Sequence, residues 1–152
     1  MSVPIIRPAR PDEFHVLTSL ALRSKAHWGY SDEFMRACID ELTITARRIQ
    51  DEHYLVAELD GRICGMAGIA RDGDGWEVSN MFVDPARIGT GTGRLLFERL
   101  MDLARAKGIT ELGIDADPNA RPFYERMGAE FRHMTPSDSI PGREIPHLSL
   151  TL

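Results

Sequence analysis

Gly89, Gly91 and Gly93 alternate between Val83 and Arg94, and their setting restricts what the chain can build. An apolar run, Met81-Phe82-Val83, leads into the segment. A helical pattern of Leu95, Leu96, Leu100, Leu103 and Ala104 leads out of it. A strand, a glycine loop and a helix start make a ready anion site, because first-turn amides lack partners and the helix dipole adds partial positive charge. Glycine lets the backbone come close to a phosphate. The pattern predicts a phosphorylated ligand at this loop.

Two familiar phosphate loops fit poorly. A P-loop ends in Gly-Lys-Ser/Thr, and this loop ends in Gly93-Arg94-Leu95. A dinucleotide fingerprint needs G-x-G-x-x-G in a first βαβ unit, and the spacing and position here differ. A glycine turn without a ligand is the plain alternative.

Another segment narrows the reading. Asp117-Pro118-Asn119-Ala120-Arg121-Pro122-Phe123-Tyr124-Glu125-Arg126-Met127-Gly128 follows the apolar run that starts at Ile109. Together, and in this order, the two segments resemble the GNAT superfamily of acyl-CoA-dependent N-acyltransferases. The glycine segment is similar to that family's pyrophosphate loop, Q/R-x-x-G-x-G/A. The segment from Asp117 to Gly128 resembles its Asn-Ala…Phe-Tyr-Glu-x-x-Gly stretch. The loop's usual Gln or Arg falls on Ile88, with Arg87 one place earlier.

The rest of the chain fits one domain over residues 1–152. Ile5-Ile6-Arg7 reads as a strand. Pro11-Asp12-Glu13 opens a helix with Phe14, Leu17, Leu20 and Ala21 inward. Ser31 caps a second helix to about Leu42, with Phe34, Met35, Cys38, Ile39 and Leu42 inward, and Thr45 to Ile49 form a helical turn. Three strands follow, His53 to Leu59, Ile63 to Ala70 and Trp76 to Val83, joined by turns at Asp60-Gly61 and Asp72 to Gly75. The long helix stops at Gly108. Glu111 to Ala116 is a strand, Asn119 to Met127 a helix, and Ala129 to Met134 a strand. Thr135 to Pro146 is a loop and Leu148 to Leu152 a last strand. The order β-α-α-β-β-β-α-β-α-β-β predicts an α+β fold. The resemblance implies a mixed, mostly antiparallel central sheet flanked by helices. It also implies a splay between the strands of Trp76–Val83 and Glu111–Ala116 that takes pantetheine.

Composition excludes several classes. A net charge of -5 argues against general nucleic-acid binding. No stretch is apolar enough to span a membrane. Cys38 and Cys64 lack metal-ligand spacing and read as reduced core residues, which fits a cytoplasmic protein. No His/Cys/Asp/Glu spacing suggests a metal.

The resemblance implies acetyl-CoA as cosubstrate and an amine-bearing acceptor, with no nucleic acid or membrane as partner; a homodimer is left open. It places Met81, Phe82, Val83, Ile88, Gly89, Thr90, Gly91, Thr92, Gly93, Arg94, Asn119 and Phe123 against CoA, the loop acting through its backbone N–H groups from Ile88 to Arg94. It makes Tyr124 the general acid to the departing thiolate, against the alternative of a core tyrosine. Glu77 is the candidate general base, against a solvated surface charge. Strand alternation puts Glu77, Ser79 and Met81 on one face and Trp76, Val78, Asn80 and Phe82 on the other. His27, Trp28 and Tyr30 form a candidate acceptor wall. His53, His133 and His147 read as isolated surface or packing residues. The loop of residues 135–146 is a candidate pocket rim or dimer contact. Two rival functions remain at this point: a non-catalytic acyl-CoA sensor and a nucleotide-binding module.

Overall fold

The computed structural model describes residues 2–152; Met1 lies outside the described residues. Seven strands form one sheet in the order β1-β2-β3-β4-β5-β7-β6. They are β1 (Ile5–Pro8), β2 (His53–Leu59), β3 (Arg62–Asp72), β4 (Gly75–Val83), β5 (Glu111–Asp115), β6 (Glu130–Pro136) and β7 (Glu144–Thr151). Every neighbouring pair is antiparallel except β4 with β5. The helices are α1 (Phe14–Ala26), α2 (Asp32–Ala37), α3 (Ile39–Leu42), α4 (Ala46–Asp51), α5 (Thr92–Ala106) and α6 (Arg121–Arg126). None among the described residues is long and apolar enough to cross a membrane. This is the mixed, mostly antiparallel α+β fold read from the sequence.

Local chemistry explains the punctuation. Asp60 (φ 52°) and Gly61 (φ 79°) are both left-handed, as a two-residue hairpin turn between right-twisted strands requires. The Ser31 hydroxyl accepts from the Phe34 N–H at 3.1 Å to start α2, and Thr45 does the same for α4 through Arg48 at 3.1 Å.

Two apolar layers sandwich the sheet. On one face α5 buries Leu96, Phe97, Leu100, Met101 and Ala104 against Ala57, Ala67, Ile69 and Leu112. On the other, Leu17 and Leu20 of α1 pack on Tyr54, Val56 and Met66. Each fully buried leucine contributes about 1.5–3 kcal/mol.

Several expectations need correction. Phe14 and Ile39 are exposed rather than inward. A break at Cys38 splits the expected single helix into α2 and α3, which turns Cys38 and Leu42 toward Ala21 and leaves Ile39 outside. The loop of residues 135–146 is shorter than read, because Thr135 pairs with Ile145 and Pro136 with Glu144. Pro136 and Pro146 disguised the strands; Pro146 lacks an N–H, yet its carbonyl still accepts from the Ala116 N–H at 2.9 Å.

The largest correction concerns β4. Gly68 of β3 pairs with Asn80 and Ile69 with Val78, so Ser79 is an extra residue, a β-bulge. The bulge resets the alternation. Trp76, Val78 and Met81 pack with the α5 layer, whereas Phe82 packs with the α1 layer and Asn80 donates to the Tyr54 hydroxyl of that same layer.

Candidate active site

β4 and β5 touch at one register pair, Glu77 opposite Gly113, and then diverge. The divergence opens a cleft of about 670 Å³ between the two strands, with the start of α5 at its mouth. Met81, Phe82 and Val83 line it from β4, and Asn119, Phe123 and Tyr124 from the segment after β5.

The loop before α5 is shaped by its glycines. Gly91 caps the helix in the left-handed region (φ 85°), and Gly89 is also left-handed (φ 79°). Ile88, Gly89, Gly91, Gly93 and Arg94 line the cleft. Among the described residues the amides of Gly89, Gly91, Gly93 and Arg94 have no backbone acceptor. Those of Ile88 and Thr90 are spent on Pro85 and Arg87 carbonyls. Thr90 and Thr92 do not line the cleft: the Thr90 hydroxyl bonds the Arg87 carbonyl and lies 2.9 Å from that of Thr92, which is buried. These two threonines brace the loop. Arg87 also lines the cleft, and its Nε is buried with no partner.

Tyr124 is buried among Phe97 and Phe123, with ring centroids 5.9 and 5.4 Å away. No group among the described residues hydrogen-bonds its hydroxyl. Burial, and then the charge of Asp117, push its pKa upward, so it stays a proton donor.

Glu77 lies on the other side of the bulge, in a second cavity of about 500 Å³. The two cavities share Glu41, Val78, Ser79 and Asp115 as wall. Burial, and then repulsion from Asp72, Asp115, Glu52 and Asp138, raise the Glu77 pKa above the ordinary carboxylate value. Glu77 is half-buried there, neither enclosed nor fully solvated.

The expected acceptor wall divides. Trp28 lines the cleft, while His27 is exposed and off the lining. Tyr30 uses its hydroxyl inside the protein. It donates to Asp117 at 2.8 Å and accepts from Asn119 and Arg143 at 3.1 and 3.0 Å. Asn119 is thereby tied to Tyr30 and Asp117 as well as lining the cleft. Lys25 (3.3 Å) and Arg143 (3.7 Å) complete the surroundings of Asp117. Burial disfavours the Asp117 charge, but the Asn119 N–H, the Tyr30 hydroxyl and Lys25 outweigh it and lower its pKa.

Lys25, Glu41, Asp115 and Asp117 were not singled out from the sequence; Arg143 lies in the loop read as a candidate pocket rim, and it lines the cleft. Only Asp117 carries a local signal, the Asx turn in which its carboxylate accepts from the Asn119 N–H at 2.9 Å. His133 and His147 are not isolated: their rings stack at 4.9 Å, and His147 Nδ1 lies 2.6 Å from Asp115.

A sheet that parts between β4 and β5 beside a helix start with free amides defines a class of α+β domain with an anion-receptive cleft. The family model "Acetyltransferase (GNAT) domain" matches residues 23–144, and the chain belongs to that family. It is 40% identical over 81 residues to the N-alpha-acetyltransferase RimI of Mycobacterium tuberculosis, a match covering 50% of this chain and 51% of that protein. Matches to its curated relatives span about half of their length or less. The fold is similar to that of a GCN5-related N-acetyltransferase from Rhodopseudomonas palustris, with a TM-score of 0.83, 27% identity, and 100% and 98% of the two chains covered. It is also similar to the PaiA N-acetyltransferase of Thermoplasma acidophilum in complex with coenzyme A, at a TM-score of 0.79 and 19% identity over the whole of both chains.

Proposed function

We propose that this protein transfers an acetyl group from acetyl-CoA to a primary amine by direct attack within a ternary complex. The observation that carries the reading is the set of unpartnered amides at Gly89, Gly91, Gly93 and Arg94, facing the cleft at the start of α5. They fit a pyrophosphate, and the buried Arg87 Nε supplies a further donor beside them. The pantetheine arm lies along the free edge of β4 past Glu77, where main-chain groups pair with it like an added strand. The CoA-bound state of one neighbour supports the choice of ligand.

The residues then divide the chemistry. Tyr124 donates its proton to the departing thiolate. Glu77, its carboxyl kept basic by burial and neighbouring carboxylates, takes the amine's proton across the shared wall, through water. A free β4 N–H stabilises the oxyanion. Direct attack is favoured over an acyl-cysteine, because Cys38 and Cys64 are buried and burial raises both thiol pKa values. The test is an amine panel with acetyl-CoA, read by release of free thiol and by mass of the product. Heat protection by ATP or NAD but not by CoA would replace the reading with a nucleotide-binding one. CoA binding with no turnover on any amine would leave a sensor.

A further inference from the structure

His133 and His147 are unused by the chemistry above, yet the sheet builds them into a fixed arrangement with Asp115. Asp115 of β5 is in register with His147 of β7, which is in register with His133 of β6. The side chains form a row across neighbouring strands. Leu112 and Ile114 belong to the α5 layer, so Gly113 and Asp115 face the other side of the sheet.

His147 is held on several sides. Its Nδ1 lies 2.6 Å from the Asp115 carboxylate. Its ring stacks on that of His133, with centroids 4.9 Å apart and planes at 18°. Its Cε1 lies 3.2 Å from where a Cβ on Gly113 would stand, so the bare glycine gives the ring its place. Gly113 is also the β5 residue opposite Glu77. The imidazole therefore lies over the immediate neighbour of the proposed base.

The hydrogen bonds fix the tautomers. An ionised carboxylate only accepts, so His147 carries its hydrogen on Nδ1 and keeps the Nε2 lone pair free; among the described residues nothing bonds that Nε2. The Met134 carbonyl, 3.0 Å from His133 Nδ1, assigns His133 the same tautomer. A neutral imidazole oriented by a carboxylate is built to accept a proton. Asp115 lines both cavities just past the point where β4 and β5 part, whereas His147 lines neither. The charges around the pair are mostly negative: Glu77 from β4, Glu41 from α3 and Asp138 from the β6–β7 loop. The nearby cations are committed elsewhere. Arg48 of α4 is bound to Glu52 and Arg71 of β3 lies over Trp76. Arg132 of β6 is bonded to Ser149, and on the cleft side Lys25 and Arg143 are turned to Asp117.

From this geometry we infer that Asp115, His147 and His133 form the proton exit of the acetyl transfer. The inference rests on the N-acetyltransferase reading above and adds a second stage to its deprotonation. An N–H bond of the amine breaks, and the proton passes through water to Glu77. Glu77 yields it, again through water, to His147 Nε2 and is a carboxylate once more for the next turnover. The imidazolium then releases the proton to solvent from its partly exposed ring. Asp115 keeps its own charge throughout and supports the imidazolium. Asp115 and His133 are thus positioning residues.

The experiment uses acetyl-CoA with the best amine of the panel. His147→Gln lowers kcat about ten-fold and leaves the KM of both substrates unchanged, because the side chain lines neither cavity. His147→Ala loses as much, and added imidazole restores activity, the more so as rising pH makes the added base neutral. His147→Gln fills the space and is not rescued. Asp115→Asn also lowers kcat, and combining it with His147→Gln costs no more than the worse single change, since the two act as a unit. Gly113→Ala keeps every titratable group but displaces the ring, and it lowers kcat as well. Parent kcat in His147→Gln, no imidazole rescue of a folded His147→Ala protein, or a double variant whose loss is the product of the single losses would each overturn the inference. Acetylation indifferent to His147 removes the proton exit and keeps the transferase. A parent protein that binds CoA and acetylates no amine removes both.

Discussion

Tyr30 and Asp117 stand 87 residues apart in the chain and share a 2.8 Å hydrogen bond that ties the turn after α1 to the turn after β5. The bond belongs to a small network with Asn119, Lys25 and Arg143, and burial together with Asp117 pushes the Tyr30 pKa up to about 12. Tyr30→Phe is expected to cost about 1–2 kcal/mol, most of it from leaving Asp117 a donor short. Urea unfolding reads the loss. The Asp117 pKa is lowered in the folded state, so its contribution is whole above about pH 4, the ordinary carboxylate value, and is lost as pH falls through the lowered one. Asp117→Asn should flatten that acid limb of the stability profile, and an unchanged limb would refute the assignment.

Gly91 needs its left-handed backbone more than it needs empty space. A Cβ there would meet nothing within 4 Å, so the cost of a side chain lies in φ = 85°. Gly91→Val should lose about 1–2 kcal/mol of stability from that strain. It should also weaken CoA binding about ten-fold or more by turning the first amides of α5 aside. Calorimetry checks both. Wild-type CoA affinity in a folded Gly91→Val protein would remove the loop from the cofactor site.

For Tyr124 the expected signature is a rate defect without a stability defect. Its hydroxyl has no partner within the described protein, so Tyr124→Phe strands no buried group and should shift stability by no more than about 0.5 kcal/mol. As general acid, its loss should lower kcat about ten- to a thousand-fold with CoA affinity intact. A Tyr124→Phe enzyme with full kcat would make the residue purely structural.

Glu77 should show itself in the pH profile. A carboxyl with a raised folded pKa is a better base, and it binds its proton more readily folded than unfolded. The folded state therefore loses relative stability as pH rises through that raised value. Glu77→Gln should thus be as stable as the parent at neutral pH, or more so. Its kcat/KM should be depressed most near neutrality, with the gap closing as pH rises and free amine accumulates. Profiles that superimpose would leave water as the proton acceptor.

What the sequence disclosed follows physical range. Asp60-Gly61, Ser31 and Gly108 announce themselves because a turn or a cap is settled among neighbours in the chain. The glycine loop and Tyr124 were legible for the same reason, each lying in a short segment of recognisable pattern. The Ser79 bulge was not. One strand read alone shows unbroken alternation, and the extra residue exists only against Gly68 and Ile69 of the partner strand. The grouping of Asp117 with Lys25 and Arg143, and of Glu77 with Asp138, joins residues with no shared local pattern. Lys25 and Asp138 read singly as surface charges, and His27 reads as a site residue only because it is next to Trp28.

The lone pairing of Glu77 with Gly113 makes the sheet two pieces with a seam between them, four strands on one side and three on the other. Any molecule that hydrogen-bonds along that seam takes the place of missing rungs. The α5 layer already joins the two pieces, with Ile69 on one side of the seam and Leu112 on the other in one core, so a ligand bound there would add to that join and make the cost of parting them rise with its concentration.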